Sequence, residues 1–271
     1  MLLTTIGQWL TQGHKDVPPS IQRQLLSHVL NKNSAWLFGH DDTLLSEQQI
    51  QQLNHHLKQY MAGKPLAYIT GHQAFWDLTL KVNEHTLIPR PDTELIIETL
   101  QTMTIQPKRI LDLGTGSGAL ALVLARLYPD SKVTATDISQ AALQVAADNA
   151  RRYQINNIEF IQSHWFAELN NNKYNVIVSN PPYIEPDDVH LSALTHEPIT
   201  ALVAEDKGLA DLQIIIGQAQ QHLTNDGLLM VEHGYKQQQA VFDLFSDHAY
   251  SNIKPLFDIE HRPRATLGYG A

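Results

Sequence analysis

ILDLGTGSGA, at residues 110–119, is an apolar strand that reaches an acidic residue and then runs through glycines at every second position into a helix. Glycines in such a turn allow a tight bend and let a ligand approach the backbone closely. The string also satisfies the looser dinucleotide pattern Gly-x-Gly-x-x-Ala. By itself it therefore predicts an α/β nucleotide-binding unit without choosing the ligand.

Strands and helices alternate on both sides of this stretch, from about residue 92 onward. The predicted strands are 109–113, 132–136, 158–162, 175–179 and 227–232, and the predicted helices are 92–103, 117–128, 139–153, 207–223 and 236–245. This alternation is typical of an α/β fold with a mostly parallel sheet covered on both faces. Two late β-like segments, near 252–259 and 264–268, have no helix between them and predict an antiparallel edge.

The beginning of the chain has a different pattern. Apolar residues recur at helical spacing after Pro18-Pro19, and Ser46 with Gln49 has the form of a capping box. Residues 67–88 then change to a β-like period, which predicts a hairpin. The predicted domains are a helical N-terminal domain that docks the substrate, a hairpin linker and a ligand-binding domain, at residues 1–73, 74–91 and 92–271.

Composition excludes several classes of protein. The 271 residues are 43% hydrophobic and include no cysteine, which rules out disulfide scaffolds, thiolate metal sites and cysteine nucleophiles. The longest apolar run, Ala119 to Ala125, is too short for a membrane span, and the N-terminus lacks the pattern of a secretory signal. We therefore expect a cytoplasmic protein without a membrane partner. Fourteen histidines form no His-Glu-x-x-His string, so we expect no metal site.

Charge argues against a nucleic-acid partner. The net charge is −9, and it divides into +1 over residues 1–73 and −10 over residues 74–271. Affinity for phosphate backbones needs clustered positive charge, so we expect no DNA partner. The late cluster Lys254, Arg262 and Arg264 is predicted to be ordinary surface charge.

Two strand ends carry the polar residues of a candidate site. Asp137 ends the strand after the glycine loop, where a carboxylate can accept hydrogen bonds from the vicinal hydroxyls of a ribose. Asn180-Pro181-Pro182-Tyr183 follows a later strand. The amide oxygen of Asn180 and the adjacent prolyl carbonyl are two acceptors beside the flat face of Tyr183. This arrangement suits a neutral –NH2 group that must be held and oriented.

Together these motifs make the chain recognisable. With Ile88-Pro89-Arg90-Pro91-Asp92-Thr93-Glu94, Glu197-Pro198 and Gly208-Leu209, the whole sequence resembles the bacterial release factor glutamine methyltransferases, the PrmC/HemK family of class I methyltransferases. The resemblance implies a Rossmann-like methyltransferase fold and S-adenosylmethionine as cofactor, with S-adenosylhomocysteine as product. It assigns cofactor binding to Gly114, Thr115, Gly116, Ser117, Gly118, Asp137, Trp165 and Asn180, and substrate binding to Asn180, Pro181, Pro182 and Tyr183. One departure is His164, which stands where such enzymes often have an acidic residue.

The implied reaction is transfer of a methyl group to the N5 amide of the glutamine in the Gly-Gly-Gln motif of class I peptide chain release factors, with Asn180, Pro181 and Tyr183 as the catalytic residues. We expect the enzyme to be a monomer. Two other enzyme activities are also consistent with the same tetrapeptide. One is glutamine methylation of a ribosomal protein, and the other is adenine-N6 methylation of DNA, in which the tetrapeptide holds a flipped base. A non-catalytic binding protein is disfavoured because the glycine loop and the tetrapeptide are both intact.

Overall fold

The computed structural model describes residues 4–12 and 16–270 and divides the chain into two compact units, Met1–Gly71 and His72–Ala271. The outer limits of the predicted domains, residues 1 and 271, lie outside the described residues. Each unit has a hydrophobic core of its own. The predicted domain limits at 73 and 91 remain predictions.

The first unit is helical, as its sequence pattern predicts. Its helices are α1 (Ile6–Thr11), α2 (Pro19–Leu30), α3 (Ser34–Phe38), α4 (Glu47–Met61) and α5 (Leu66–Thr70). The predicted capping box is present at α4, where Ser46 and Gln49 each accept a hydrogen bond from the other's backbone N–H. Leu53 and Leu57 of this helix are buried, and α4 packs against α2. The apolar face of α4 therefore contributes to the core of the first unit.

The predicted change of period at residue 67 is wrong by a few residues. Leu66–Thr70 forms the short helix α5, which begins after Pro65 and ends at Gly71 in the left-handed conformation. Proline before the first turn and glycine after the last are strong helix boundaries, and they outweigh the β-branched residues between them. The predicted hairpin follows directly as β1 (His72–Phe75) and β2 (Leu78–Lys81).

The second unit contains a seven-stranded sheet. Its strands are β3 (Arg109–Leu113), β4 (Lys132–Asp137), β5 (Ile158–Gln162), β6 (Tyr174–Ser179), β7 (Leu223–Glu232), β8 (Ser251–Phe257) and β9 (Pro263–Tyr269). They lie in the order β5-β4-β3-β6-β7-β9-β8. The first five in this order are parallel, and β9 pairs antiparallel with both β7 and β8. The predicted mostly parallel sheet with an antiparallel edge is confirmed.

Helices cover both faces of this sheet. They are α6 (Glu94–Thr102), α7 (Ala119–Leu127), α8 (Gln140–Arg152), α9 (Glu205–Gly208), α10 (Ala210–Ala219) and α11 (Gln238–Asp247). Successive residues of β3 show why both faces need cover: Ile110 packs into one core cluster and Leu111 into the other, each fully buried. The strand order reverses between β3 and β6. Ligands of open α/β sheets bind at such a switch point, outside the carboxyl ends of the strands.

Candidate active site

The glycine loop after β3 is held by a buried carboxylate. Asp112 Oδ2 accepts hydrogen bonds from Thr115 Oγ1 at 2.6 Å and from the backbone N–H of Ala121 at 3.1 Å. Burial raises the pKa of Asp112 to about 7, and these two hydrogen bonds oppose that rise. Gly118 ends the loop at φ 86°, where a Cβ would lie 2.2 Å from Leu122 Cδ1. The loop therefore requires glycine at position 118. The hydrogen bonds to Asp112 hold the loop in its conformation.

Asp137 closes the other side of the loop. Its Oδ2 accepts the backbone N–H of Gly116 at 2.9 Å, and its Oδ1 accepts that of Ser139 at 2.9 Å. Burial raises its pKa above the ordinary range for aspartate, against these backbone hydrogen bonds. Each carboxylate oxygen has more than one acceptor position, so this side chain can shape the loop and still accept from ribose hydroxyls.

Trp165 forms a wall beside the loop. Its ring carbon Cζ3 lies 3.3 Å from the position that a Cβ on Gly114 would occupy. Its Nε1 donates to Asp211 Oδ1 at 3.1 Å, and partial burial raises the pKa of that carboxyl. The sequence did not single out Asp211, which reaches the site from α10. This acidic residue lines the same cavity as His164.

These elements enclose a cavity of about 390 Å³, a size typical of small-molecule sites. Its walls combine loop backbone, carboxylates and an aromatic ring, and they include Gly114, Gly116, Asp137, Trp165, Asn180 and Asp211. A Cβ on Gly116 would meet nothing within 4 Å, so the backbone there faces open space. Thr115 and Ser117 line an adjoining cavity of about 50 Å³. This donor and acceptor set fits the ribose and base of S-adenosylmethionine.

The predicted tetrapeptide follows β6 at the switch point. The half-buried Asn180 donates from Nδ2 to Thr93 Oγ1 at 3.0 Å. Tyr183 donates its hydroxyl to Glu232 Oε1 at 3.1 Å. Burial raises the pKa of the Tyr183 phenol above its ordinary value, with a smaller contribution from the charge of Glu232, so the phenol remains neutral. Both side chains are thus fixed by partners that the sequence did not assign to the site.

A small cavity of about 70 Å³ lies at the tetrapeptide, with Pro181, Tyr183, Leu87 and Arg90 among its lining residues. Pro182 faces the large cavity instead. Asn180 lines this small cavity, the large one and the adjoining one. The side chain of Asn180 therefore borders both the cavity of the predicted cofactor residues and the cavity of the predicted substrate residues.

The backbone of Tyr183 is held by close packing. Gln237 Nε2 donates to its carbonyl at 3.0 Å. Gly208 has φ 75°, and a Cβ there would lie 2.1 Å from the same carbonyl oxygen. The Gly208-Leu209 pair in the sequence thus has a physical reason, because only glycine lets this carbonyl come so close.

Residues of the segment Ile88–Glu94 form hydrogen bonds and an ion pair with other parts of the second unit. Glu197 accepts from the backbone N–H of Ile88 at 2.9 Å and pairs with Arg90, with only 2% of the Glu197 side chain exposed. Glu94 Oε1 accepts the backbone N–H of Trp76 at 2.7 Å, which anchors the hairpin turn.

One charge prediction is wrong. Arg264 is not free surface charge, because its side chain is 20% exposed and its Nε lies 3.2 Å from Asp92 Oδ2 and 3.0 Å from Asp258 Oδ2.

Within residues 4–12 and 16–270, no group of three or more histidine or acidic side chains could hold a metal ion. None of the helices in the described part of the chain has the length and apolarity that crossing a bilayer requires.

Two family models match the chain. A model described as "Methyltransferase small domain" matches residues 90–259, and one described as "PrmC N-terminal domain" matches residues 2–71. The first covers most of the second unit, and the second covers nearly all of the first.

Relatives match this chain over most of its length. A release factor glutamine methyltransferase of Aliivibrio fischeri is 42% identical over 271 residues, covering 98% of this chain and 95% of that protein. The enzyme of the same name from Vibrio cholerae is 43% identical over 270 residues, covering 98% and 94%. The one from Escherichia coli is 42% identical over 247 residues, covering 90% and 89%.

Solved structures share the fold at low sequence identity. A methyltransferase from Pyrococcus furiosus is similar with a TM-score of 0.58 and 19% identity, over 80% of this chain and 100% of that one. The 16S rRNA N2 G1207 methyltransferase of T. thermophilus, solved with AdoMet and guanosine, is similar with a TM-score of 0.53 and 17% identity, over 74% of this chain and 50% of that one. The predicted class I methyltransferase fold is therefore confirmed.

Proposed function

The chain belongs to the release factor glutamine methyltransferase family, and on that premise we propose that it methylates the N5 amide nitrogen of the glutamine in the Gly-Gly-Gln motif of class I peptide chain release factors. It is an S-adenosylmethionine-dependent enzyme. The main support for the proposed active site is the position of Asn180. This side chain lines the large cavity at the glycine loop and also the small cavity at the tetrapeptide.

S-adenosylmethionine, when bound, supplies an electrophilic methyl group on a sulfonium. Gly114, Gly116, Asp137 and Trp165 would hold it in the large cavity, because they provide backbone, a carboxylate and an aromatic face there. Thr115 and Ser117 line the adjoining cavity, and Gly118 ends the loop that carries them. The chain's own contribution at this end is to bind and orient, and the rigid loop held by Asp112 provides that orientation without reorganisation.

A glutamine amide nitrogen is a weak nucleophile because its lone pair is delocalised into the carbonyl. Asn180 Oδ1 and the carbonyl of Pro181 would each accept one N–H of the substrate amide. Two fixed acceptors localise the lone pair and aim it, and they are preorganised because two prolines stiffen the backbone that carries them. No general base is needed before transfer, since the proton leaves from the positively charged nitrogen afterwards.

Tyr183 would close the substrate side of the site. Its ring lines the small cavity, and its hydroxyl is directed to Glu232 rather than into that cavity. An aromatic face beside a nitrogen that gains positive charge favours that charge. Because the phenol stays neutral and anchored, we assign Tyr183 the role of a wall and not of a base.

We also propose that the first unit docks the protein substrate. It is a separate compact unit with its own core, and the residues assigned to methyl transfer all lie in the second unit. An acidic chain of net charge −9 favours a protein over DNA as the large substrate.

Asn180→Ala tests the proposed site. At saturating cofactor we expect kcat for the release factor to fall by roughly 100-fold or more, the scale of losing one preorganised hydrogen-bonding group. Asn156→Ala, at an exposed position, is the matched control and should leave kcat unchanged. A folded Asn180→Ala enzyme with wild-type kcat would overturn the role given to this residue. Parallel assays with a ribosomal protein and with DNA, both expected to stay unmethylated, test the substrate class.

A further inference from the structure

Thr93 is buried at the end of the short helical turn Pro91–Thr93, directly before α6. Its Oγ1 accepts a hydrogen bond from Asn180 Nδ2 at 3.0 Å. A side-chain amide is planar, with its nitrogen and oxygen on opposite edges. The contact with Thr93 therefore decides which of the two atoms Asn180 can present elsewhere.

That hydrogen bond leaves Oδ1 of Asn180 as the atom that can accept from another group. The opposite arrangement would turn Oδ1 toward Thr93 and present Nδ2 instead. Because Thr93 is buried directly before α6, its hydroxyl is held at one place beside Asn180.

We propose that Thr93 is a positioning residue that holds the side-chain amide of Asn180 with Oδ1 toward the substrate nitrogen. This inference rests on the catalytic role proposed above for Asn180. In the reversed orientation, Nδ2 of Asn180 would face the –NH2 group of the substrate, donor against donor, and the nitrogen lone pair would not be localised. Thr93 of the sequence motif thereby acquires a role in specificity for an amino group.

Thr93→Val and Thr93→Ser separate this role from simple packing. Valine keeps the shape of threonine and removes the hydroxyl, whereas serine keeps the hydroxyl and removes the methyl group. At saturating cofactor we expect kcat to fall roughly 10-fold or more in Thr93→Val and to stay within about 3-fold of wild type in Thr93→Ser. Equal kcat in the two variants would overturn the inference. If Thr93→Val does not fold, Thr93→Ala replaces it in the same comparison with Thr93→Ser.

A double variant shows whether Thr93 acts through Asn180. Because Thr93 is argued to position Asn180, the Thr93→Val change should lower kcat in the wild-type background and have no further effect in Asn180→Ala. An equal loss in both backgrounds would overturn the inference and leave the proposed function intact. Wild-type kcat in Asn180→Ala alone would overturn the proposed role of Asn180 and this inference with it.

Discussion

Arg90 and Glu197 form an ion pair between residues 107 positions apart, and the carboxylate has only 2% of its side chain exposed. The same carboxylate accepts the backbone N–H of Ile88 at 2.9 Å. Arg90 also lines the small cavity at the tetrapeptide. The pair therefore fastens one wall of the proposed substrate cavity to the segment that precedes α9.

Removing the guanidinium of this pair should destabilise the protein. In Arg90→Met we expect a loss of unfolding free energy on the order of 1–3 kcal/mol, because a buried carboxylate then lacks its charged partner. Urea unfolding of the second unit measures it. The control is Arg90→Met combined with Glu197→Gln, where much of the loss should return because the buried charge is gone. A double variant as unstable as the sum of its single changes would contradict this explanation.

Asp137→Ala should weaken cofactor binding. The change removes the carboxylate proposed to accept the ribose hydroxyls and also frees the backbone N–H groups of Gly116 and Ser139. We expect a loss of about 1.5–3 kcal/mol in the binding free energy, the range for hydrogen bonds to charged groups. Calorimetry with S-adenosylmethionine measures it, with exposed Asp130→Ala as the control. Unchanged affinity in folded Asp137→Ala would exclude a ribose role for this residue.

The stability of the wild-type protein should fall with rising pH because of Glu232. Burial raises the pKa of its carboxyl to about 7, with Asp92 raising it further and Thr93, Tyr183 and Arg264 lowering it. The folded protein thus holds a proton that the unfolded chain has lost, and between pH of about 4.5 and about 7 each rise in pH favours unfolding.

Glu232→Gln isolates this contribution, because the other buried carboxyls are common to both proteins. We expect the variant to gain stability relative to wild type between pH 5 and pH 8, by on the order of 1 kcal/mol or more. Thermal unfolding at both pH values measures the difference. A difference between the two proteins that does not change with pH would show that Glu232 has an ordinary pKa.

Removal of residues 1–71 should separate docking from chemistry. If the first unit docks the protein substrate, the fragment 72–271 should keep its affinity for S-adenosylmethionine and lose about 10-fold or more in kcat/KM for intact release factor. A short peptide that contains the Gly-Gly-Gln motif serves as the control substrate and should lose much less. Cofactor affinity equal to wild type establishes that the fragment is folded. Equal losses on both substrates would mean that the first unit supports the enzyme without docking its substrate.

The motifs at strand ends were predictable because each consists of residues that are adjacent in the sequence. The glycine loop, Asp137 and the Asn180–Tyr183 tetrapeptide each follow a strand, and parallel strands bring their carboxyl ends to one edge of the sheet. Short segments were less certain. The helix Leu66–Thr70 has only five residues, so its boundaries and not its periodicity define it.

The partners of these motifs were not predictable in the same way. Thr93 is 87 residues from Asn180, and Glu232 is 49 residues from Tyr183. Their contacts depend on how α6 and β7 are placed by the sheet, and no local spacing encodes that placement. The motif Ile88–Glu94 marked the region around Thr93 as important, but only the folded chain shows the contact between Thr93 and Asn180.

Asn180 and Leu87 each line all three cavities of the site, so whatever occupies one cavity touches the wall of the next. Any energetic coupling between ligands in these cavities is reciprocal: if bound cofactor raises the affinity for the glutamine, bound glutamine raises the affinity for the cofactor by the same factor. With the two ligands placed as proposed, the demethylated cofactor and the methylated amide would contact the same two side chains after transfer. The same coupling would then act on product release, so that the departure of one product would change the affinity for the other.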